Sequence, residues 1–245
     1  MDTDKQTTTN QMRVRELIAR WYPQYSDIQH YPADKCACIR GTKEEWGVFG
    51  NFYQVHLVID GVKIDCTERL FHLMKFLPTA EEGIKSEYAA RAGMHIKMHM
   101  KPIYKNHWED WMRKDWGKMI VDAMKYCLQK KYEQSEFFRK ELERSKGMYI
   151  VEDETNRNAR KGYKADSWGT NLEGDEYVGP SLLGRLLMEL RDNGKLEYNL
   201  PADALEFLKV LRVGECVFIF GADNREVSSA RLSCFRSEAS PSCIG

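Results

Sequence analysis

The sequence predicts an α+β fold, a helix-dominated compact single domain with one small β-sheet, and three observations predict it. The stretch VHLVIDGVKID alternates apolar and polar residues on both sides of an Asp-Gly pair, the pattern of a β-hairpin with a two-residue turn. Directly after it, CTERLFHLMKF changes to helical spacing, because Leu70, Phe71, Leu73, Met74 and Phe76 are too dense for a half-exposed strand. Two further stripes, Met119–Ile120–Ala123–Met124–Leu128 and Leu182–Leu183–Leu186–Leu187–Leu190, recur at the period of a buried helix face. With 245 residues, 42% apolar and 30% charged, the chain suits one domain with extensions and can bury a sizeable core.

In order, residues 1–12 are polar, and VRELIARW predicts a helix with Leu17, Ile18 and Trp21 on one side. A tyrosine-rich loop follows Pro23, and Cys36 to Ile39 reads as a short strand ended by Arg40. FGNFY is a glycine-hinged aromatic turn leading into the hairpin and its helix. Asp65 followed three residues later by Glu68 fits a capping box at that helix start. Pro78 breaks the helix, and TAEEGIKSEYAARAG restarts another that ends near Gly93. Met94 to Met100 alternates at strand period among helices, while His95 and His99 could pair on a helix; a polar face is the simpler reading. Asp115 is placed to cap a helix running to about Tyr132. EQSEFFRKELERSKG is a further helix closed by Gly147, and MYIVE a buried strand. Residues 153–167 form a polar loop whose Arg157, Arg160 and Lys161 are either solvated or anion-binding. Gly179-Pro180 puts proline at the first position of the leucine-striped helix. Another helix from Ala202 to Leu211 and a strand from Cys216 to Phe220 precede a serine-rich tail. The organisation read from this is an N-terminal extension (1–25), a domain (26–194) and a C-terminal extension (195–245), disordered at its end.

Net charge is zero, which argues against clinging to nucleic acid through the whole surface but leaves a local basic patch open. The N-terminal residues lack a signal or transit composition, and no apolar run reaches the length of a membrane span. Seven cysteines without regular spacing suggest reduced thiols in a cytoplasmic or nuclear compartment. Cys36 and Cys38 lack a second pair to complete a zinc site, so no metal is expected.

Chemistry-bearing residues gather on the CTERLFHLMKF helix. Positions three and four apart share a face, so Glu68, Phe71, His72 and Lys75 lie together. A carboxylate and an ammonium beside aromatics can form a reaction site, or they can be a helix cap and a surface lysine. Trp108, Trp111 and Trp116 are either core anchors or a platform on which a base or sugar stacks.

The segments WGVFGNF, the hairpin, TERLFHLMKF, RKDWGKMIVDAMKYCLQKKY, IVE, DSWG and GPSLLGRLLMELR run in order from Ile39 to Arg191. Together they resemble the NADAR family, the YbiA-like N-glycosidases of NAD and ADP-ribose chemistry. TERLFHLMKF stands for that family's Ser-Glu-His-Tyr-Phe-x-x-x-Lys-Phe block. The resemblance implies hydrolysis of a ribose–base N-glycosidic bond without a cofactor. Its substrate partner is ADP-ribosylated guanine, in DNA, RNA or a free nucleotide. The alternative substrate is a phosphoribosylated intermediate of riboflavin synthesis. It implies Glu68, Lys75, Asp166 and Trp116 as catalytic residues. It implies Arg40, Asn51, Phe52, Trp168, Gly169, Ser181 and Gly184 as substrate contacts, the helix start at Ser181 receiving a diphosphate.

Three positions depart from the family pattern. Only Ser167 separates Asp166 from Trp168 where two residues are usual, so the acid can shift upstream to Asp153 or Asn156. Ser181 stands where asparagine is common, and Ile120 where lysine is, with Lys118 nearby. The chemistry itself calls for these residue types. Departure of the base leaves oxocarbenium-like charge that a carboxylate stabilises, and a second acid activates water or protonates the base. Lys75 either polarises the ribose or, once neutral, attacks the sugar carbon. A non-catalytic ADP-ribose-binding module is the reading from another class.

Overall fold

The protein, described here from a computed structural model for residues 13–77, 79–80, 108–160 and 162–208, is organised around its hairpin and the helix that follows it. Strands β1 (Gln29–Pro32) and β2 (Cys36–Ile39) come first, after helix α1 (Val14–Trp21). Strands β3 (Gln54–Ile59) and β4 (Val62–Cys66) pair antiparallel, with Leu57 opposite Ile64 and Ile59 opposite Val62. Asp60 and Gly61 both have positive φ, +48° and +81°, the geometry a two-residue primed turn requires. Leu57, Ile59, Val62 and Ile64 are buried, as the alternation predicted.

Helix α2 (Thr67–Leu73) leaves β4 with no linker, and every one of its residues is buried. Its start differs from the predicted capping box. Asp65 turns instead to Arg69, accepting from Nε at 2.5 Å and Nη2 at 2.8 Å in a buried bidentate pair. The cap comes from the aromatic turn: the Asn51 carbonyl accepts from the Glu68 N–H at 2.9 Å, and from Thr67 Oγ1 at 3.1 Å. A turn distant in sequence thereby fixes the first turn of the helix.

After α3 (Trp108–Trp111), helix α4 (Trp116–Gln134) crosses the centre and packs against α1, α2 and β3. Asp115 precedes it, yet the carboxylate pairs with Arg113 rather than capping. Helix α5 (Glu136–Arg144) is capped by Ser135, whose hydroxyl accepts from the Phe138 N–H at 3.2 Å. Strand β5 (Tyr149–Glu152) pairs parallel with β2 and carries the chain into a short helix α6 (Thr155–Ala159) inside the predicted loop. Helix α7 (Leu182–Asn193) buries its leucine stripe on β5 and α4 and stops at Gly194, φ +70°. A Cβ on Gly184 would stand 1.9 Å from the Ile150 carbonyl oxygen, so only glycine allows this close crossing.

The fold class is α+β, as predicted, but among the described residues the strands form three small sheets rather than one. The unpredicted sheet joins β1 to β6 (Asn171–Glu173) and β7 (Glu176–Gly179) in the antiparallel order β1-β7-β6. These strands span three or four residues, too short for alternation to register. Pro180 is not the first helical residue: Ser181 follows it in the left-handed region, φ +52°, and the helix begins at Leu182. Where a helix from Ala202 was expected, residues 202–206 form turns and residues 207–208 are helical. The expected helix ending near Gly93, the Met94 to Met100 segment and the strand at Cys216 to Phe220 lie outside the described residues. The N-terminal helix is part of the core, with Leu17 and Ile18 buried.

Candidate active site

One cavity, about 850 Å³, opens between α1, the 40–52 segment, α2, the start of α4 and the residues that follow β5. It gathers Arg40, Asn51, Phe52, Glu68, Lys75, Trp116 and Trp168 of the predicted site.

Burial of Glu68, His72 and Lys75 on one face of α2 follows from their spacing, since Glu68 and His72 are one turn apart and Lys75 continues the row past the helix end. The Glu68 carboxylate lies 3.1 Å from His72 Nε2, and His72 Nδ1 lies 3.0 Å from Lys75 Nζ. The Glu68 and His72 side chains are only 9% and 7% exposed. Lys75 is held from the far side by its own backbone, whose carbonyl accepts from the Arg113 N–H at 2.9 Å. Its ammonium sits 4.9 Å from the Phe71 ring centroid and 5.1 Å from that of Trp116. Phe71 meets Trp116 and Trp168 edge-on at 5.0 and 5.7 Å, so three rings wall the cavity beside the lysine.

Across from α2, the end of β5 supplies three consecutive acids, Glu152, Asp153 and Glu154, all lining the cavity. Asp153 is committed to structure. It accepts from Thr155, from Arg40 Nε at 3.1 Å and from the Tyr177 hydroxyl at 3.2 Å. Burial works to raise its pKa, but these donors outweigh it and hold the carboxyl below the usual range. Glu154 pairs with Arg157 and accepts from Asn158 Nδ2. Gly169 makes room for it: a Cβ there would stand 2.5 Å from Glu154 Cγ. Burial works to strip Arg157 of its proton, yet the pair with Glu154 and the nearby charges of Glu152 and Glu68 raise its pKa. Arg157 thus lies within electrostatic reach of carboxylates from both walls.

Four predicted residues are not brought into the cavity lining. Asp166 is exposed, its carboxylate accepting from Ser167 Oγ. The acids that do line the cavity besides Glu68 are Glu152, Asp153 and Glu154. Ser181 is fully buried, and the helix start it was meant to open toward a diphosphate is already occupied. The N–H groups of Ser181, Leu182 and Leu183 donate to the carbonyls of Gly169, Ser167 and Trp168. Gly169 and Gly184 serve packing, as their Cβ clashes show. Lys118 does not stand in for the lysine missing at position 120, since its Nζ lies over the Trp21 ring, 5.0 Å from the centroid, while Ile120 lines the cavity. Sequence reasoning passed over Glu152 and Glu154 although IVE was one of the matched segments. Val14 and Leu17, which wall the cavity from α1, carried no signal at all.

A buried carboxylate–imidazole–ammonium row in an aromatic-walled hollow that is also lined by acids has the residue types that acid–base or nucleophilic chemistry uses. A family model for the NADAR domain matches residues 39–193, and the chain belongs to that family. It is 29% identical to N-glycosidase YbiA of Escherichia coli strain K12 over 175 residues, 69% of this chain and 95% of that protein. It is 23% identical over 167 residues to a riboflavin biosynthesis protein of Vibrio vulnificus, 67% of this chain and 40% of that one. The NMR structure of E. coli YbiA is similar at a TM-score of 0.49 and 27% identity, covering 74% of this chain and 92% of that chain.

Proposed function

We propose that this protein is an N-glycosidase that hydrolyses a ribose–base bond, with ADP-ribose on guanine as its substrate. The observation that carries the reading is the meeting of Glu68, Lys75 and the acids at the end of β5 in one aromatic-walled cavity. Loss of the base builds positive charge on the ribose, and carboxylates on both sides stabilise it. Glu68 acts on one face of the sugar. Glu152 or Glu154 activates water on the other, while Asp153, tied to Arg40 and Tyr177, holds the segment in shape. Trp116 and Trp168 offer flat surfaces for the base, and Lys75 contacts the ribose or attacks its anomeric carbon. A cavity of about 850 Å³ suits a dinucleotide-sized group, toward the upper end of ordinary ligand pockets. Arg40, half exposed at the mouth, and Arg157 supply positive charge for a diphosphate in place of the occupied helix start.

The Vibrio vulnificus relative favours a second reading, in which the substrate is a phosphoribosylated riboflavin precursor. Mass spectrometry after incubation with an ADP-ribosylated guanine oligonucleotide, the corresponding nucleotide and the phosphoribosylated pyrimidine distinguishes the two. Release of ADP-ribose by the wild type and not by Glu68→Gln supports the first reading. Release from the pyrimidine alone supports the second, and release from none overturns both.

A further inference from the structure

Arg69 is withdrawn into its pair with Asp65. The imidazole at position 72 bridges the two groups on which the proposed reaction depends. We propose that His72 is a positioning residue that passes protons between Lys75 and Glu68, so that one redistribution prepares both. The inference rests on the N-glycosidase reading for its kinetic consequences, though not for its structural ones.

With an ammonium at position 75 and an ionised carboxylate at position 68, the two contacts select one tautomer. An ammonium has only hydrogens to give, so Nδ1, 3.0 Å from Lys75 Nζ, must be the bare acceptor. An ionised carboxylate only accepts, so Nε2, 3.1 Å from Glu68, must carry the proton. A doubly protonated ring would aim an N–H at the ammonium. The resting state is then ammonium, neutral imidazole and carboxylate. One proton moves from Nζ to Nδ1 while another moves from Nε2 to the Glu68 oxygen. The products are a neutral amine, the other neutral tautomer of His72 and a carboxylic acid, with charge and protons conserved. The amine is then a nucleophile toward the anomeric carbon, and the acid can protonate the departing base nitrogen. Separating these tasks would leave a neutral lysine or a protonated glutamate to be made alone, each against the field of the other.

The groups facing this row bear on its balance. Glu152, Glu154 and Arg157 approach from the segment after β5, Cys127 from α4, and the Phe71 and Trp116 rings flank the ammonium. Burial at 7% and 9% keeps bulk water from short-circuiting the exchange.

Two measurements test this. The first does not require turnover: ¹⁵N chemical shifts of the His72 ring in the wild-type protein should show Nε2–H with Nδ1 bare. The Lys75→Met variant should relax that preference. An Nδ1–H ring in the wild type, or a tautomer indifferent to Lys75, overturns the proposal. The second is kinetic, on whichever N-glycoside the wild type cleaves. His72→Gln should fold with an unchanged thermal midpoint and bind ADP-ribose as before. Its kcat should fall about 10²-fold while KM stays within about twofold. Added imidazoles should restore the His72→Ala rate in proportion to their basicity. Wild-type kcat in His72→Gln, or rescue that ignores basicity, assigns His72 a merely structural role. If the wild type cleaves neither substrate, the functional reading fails while the ring tautomer still decides whether the bridge exists.

Discussion

Lys131 gives the sharpest stability test, because the structure places it where a charge is costly. Its side chain is fully buried in α4, Nζ donates to the Gly50 carbonyl at 2.9 Å, and among the described residues no carboxylate pairs with it. The Phe138 and Tyr53 rings, 4.7 and 5.9 Å from Nζ, are its other neighbours. Burial pulls its pKa down from 10.5 to about 7, with a nearby Cys66 thiol working weakly the other way. The unfolded chain therefore holds this proton up to about pH 10.5 while the folded chain gives it up near 7. Across that window the unfolded state binds more protons, so stability rises with pH, at up to about 1.4 kcal/mol per pH unit. Below it both states are protonated and the penalty stands in full. Lys131→Met keeps the volume and removes the titration; the Gly50 carbonyl retains the Tyr53 N–H at 3.3 Å. Urea unfolding from about pH 7.5 to 9.5 should show the wild type gaining roughly 2–3 kcal/mol relative to the variant. Cys36, pushed up to about 12 by burial, lowers stability above about pH 9 in both proteins and cancels in the difference. Parallel pH profiles for the two proteins would show that Lys131 does not sit as a desolvated base, and the reasoning would be refuted.

The remaining predictions concern the site and its frame. Glu68→Gln and Lys75→Met should each lower turnover by at least about 10²-fold while ADP-ribose binding by calorimetry persists; wild-type rates in either would remove the row on α2 from the reaction. Asp166→Asn should leave kcat within about twofold whereas Glu152→Gln and Glu154→Gln, assayed side by side, should include one loss of about 10²-fold. The reverse order would return the acid to the DSWG segment. Gly184→Ala should cost about 3 kcal/mol or more in chemical denaturation, because the added methyl meets the Ile150 carbonyl at 1.9 Å; an unchanged midpoint would mean that α7 does not press on β5 as described.

What the sequence made legible is what short-range chemistry determines. Asp60-Gly61 demands two positive φ values, and the alternation around it fixes which strand faces go inward. Helical spacing put Glu68, Phe71, His72 and Lys75 on one face without reference to any partner. What stayed illegible was decided between distant segments. The cap of α2 is Asn51 rather than Asp65, because Asp65 finds a better partner in the buried guanidinium of Arg69. The diphosphate expected at Ser181 fails because three carbonyls of residues 167–169 reach the helix amides first. Asp166 follows from the match of DSWG to the family motif, and a motif match does not say whether a side chain faces the cavity or the solvent. The acids that share the cavity with Glu68 sit where β5 ends, next to a glycine that only close approach explains.

The concentration of polar groups in α2 sets the terms on which this site can exist. Thr67, Glu68, Arg69, His72 and Lys75 are all buried within nine residues, a burden no short helix would carry unpaired. The structure divides them into two sets that do not compete. Arg69 and Asp65 close a bidentate pair, and Thr67 binds the Asn51 turn, so this set fixes the helix against β4 and the core. Glu68, His72 and Lys75 line the cavity, with the carboxylate 3.1 Å and the ammonium 3.0 Å from the two imidazole nitrogens. Breaking the first set strands a charge and should cost about 3–5 kcal/mol, which is a folding defect. Disturbing the second changes proton positions in a frame that stays put. Variants of Arg69 and of His72, three residues apart, should therefore separate cleanly in the laboratory, the first in unfolding midpoint and the second in kcat. A helix in which both substitutions produced the same loss of stability would have no functional face distinct from its structural one.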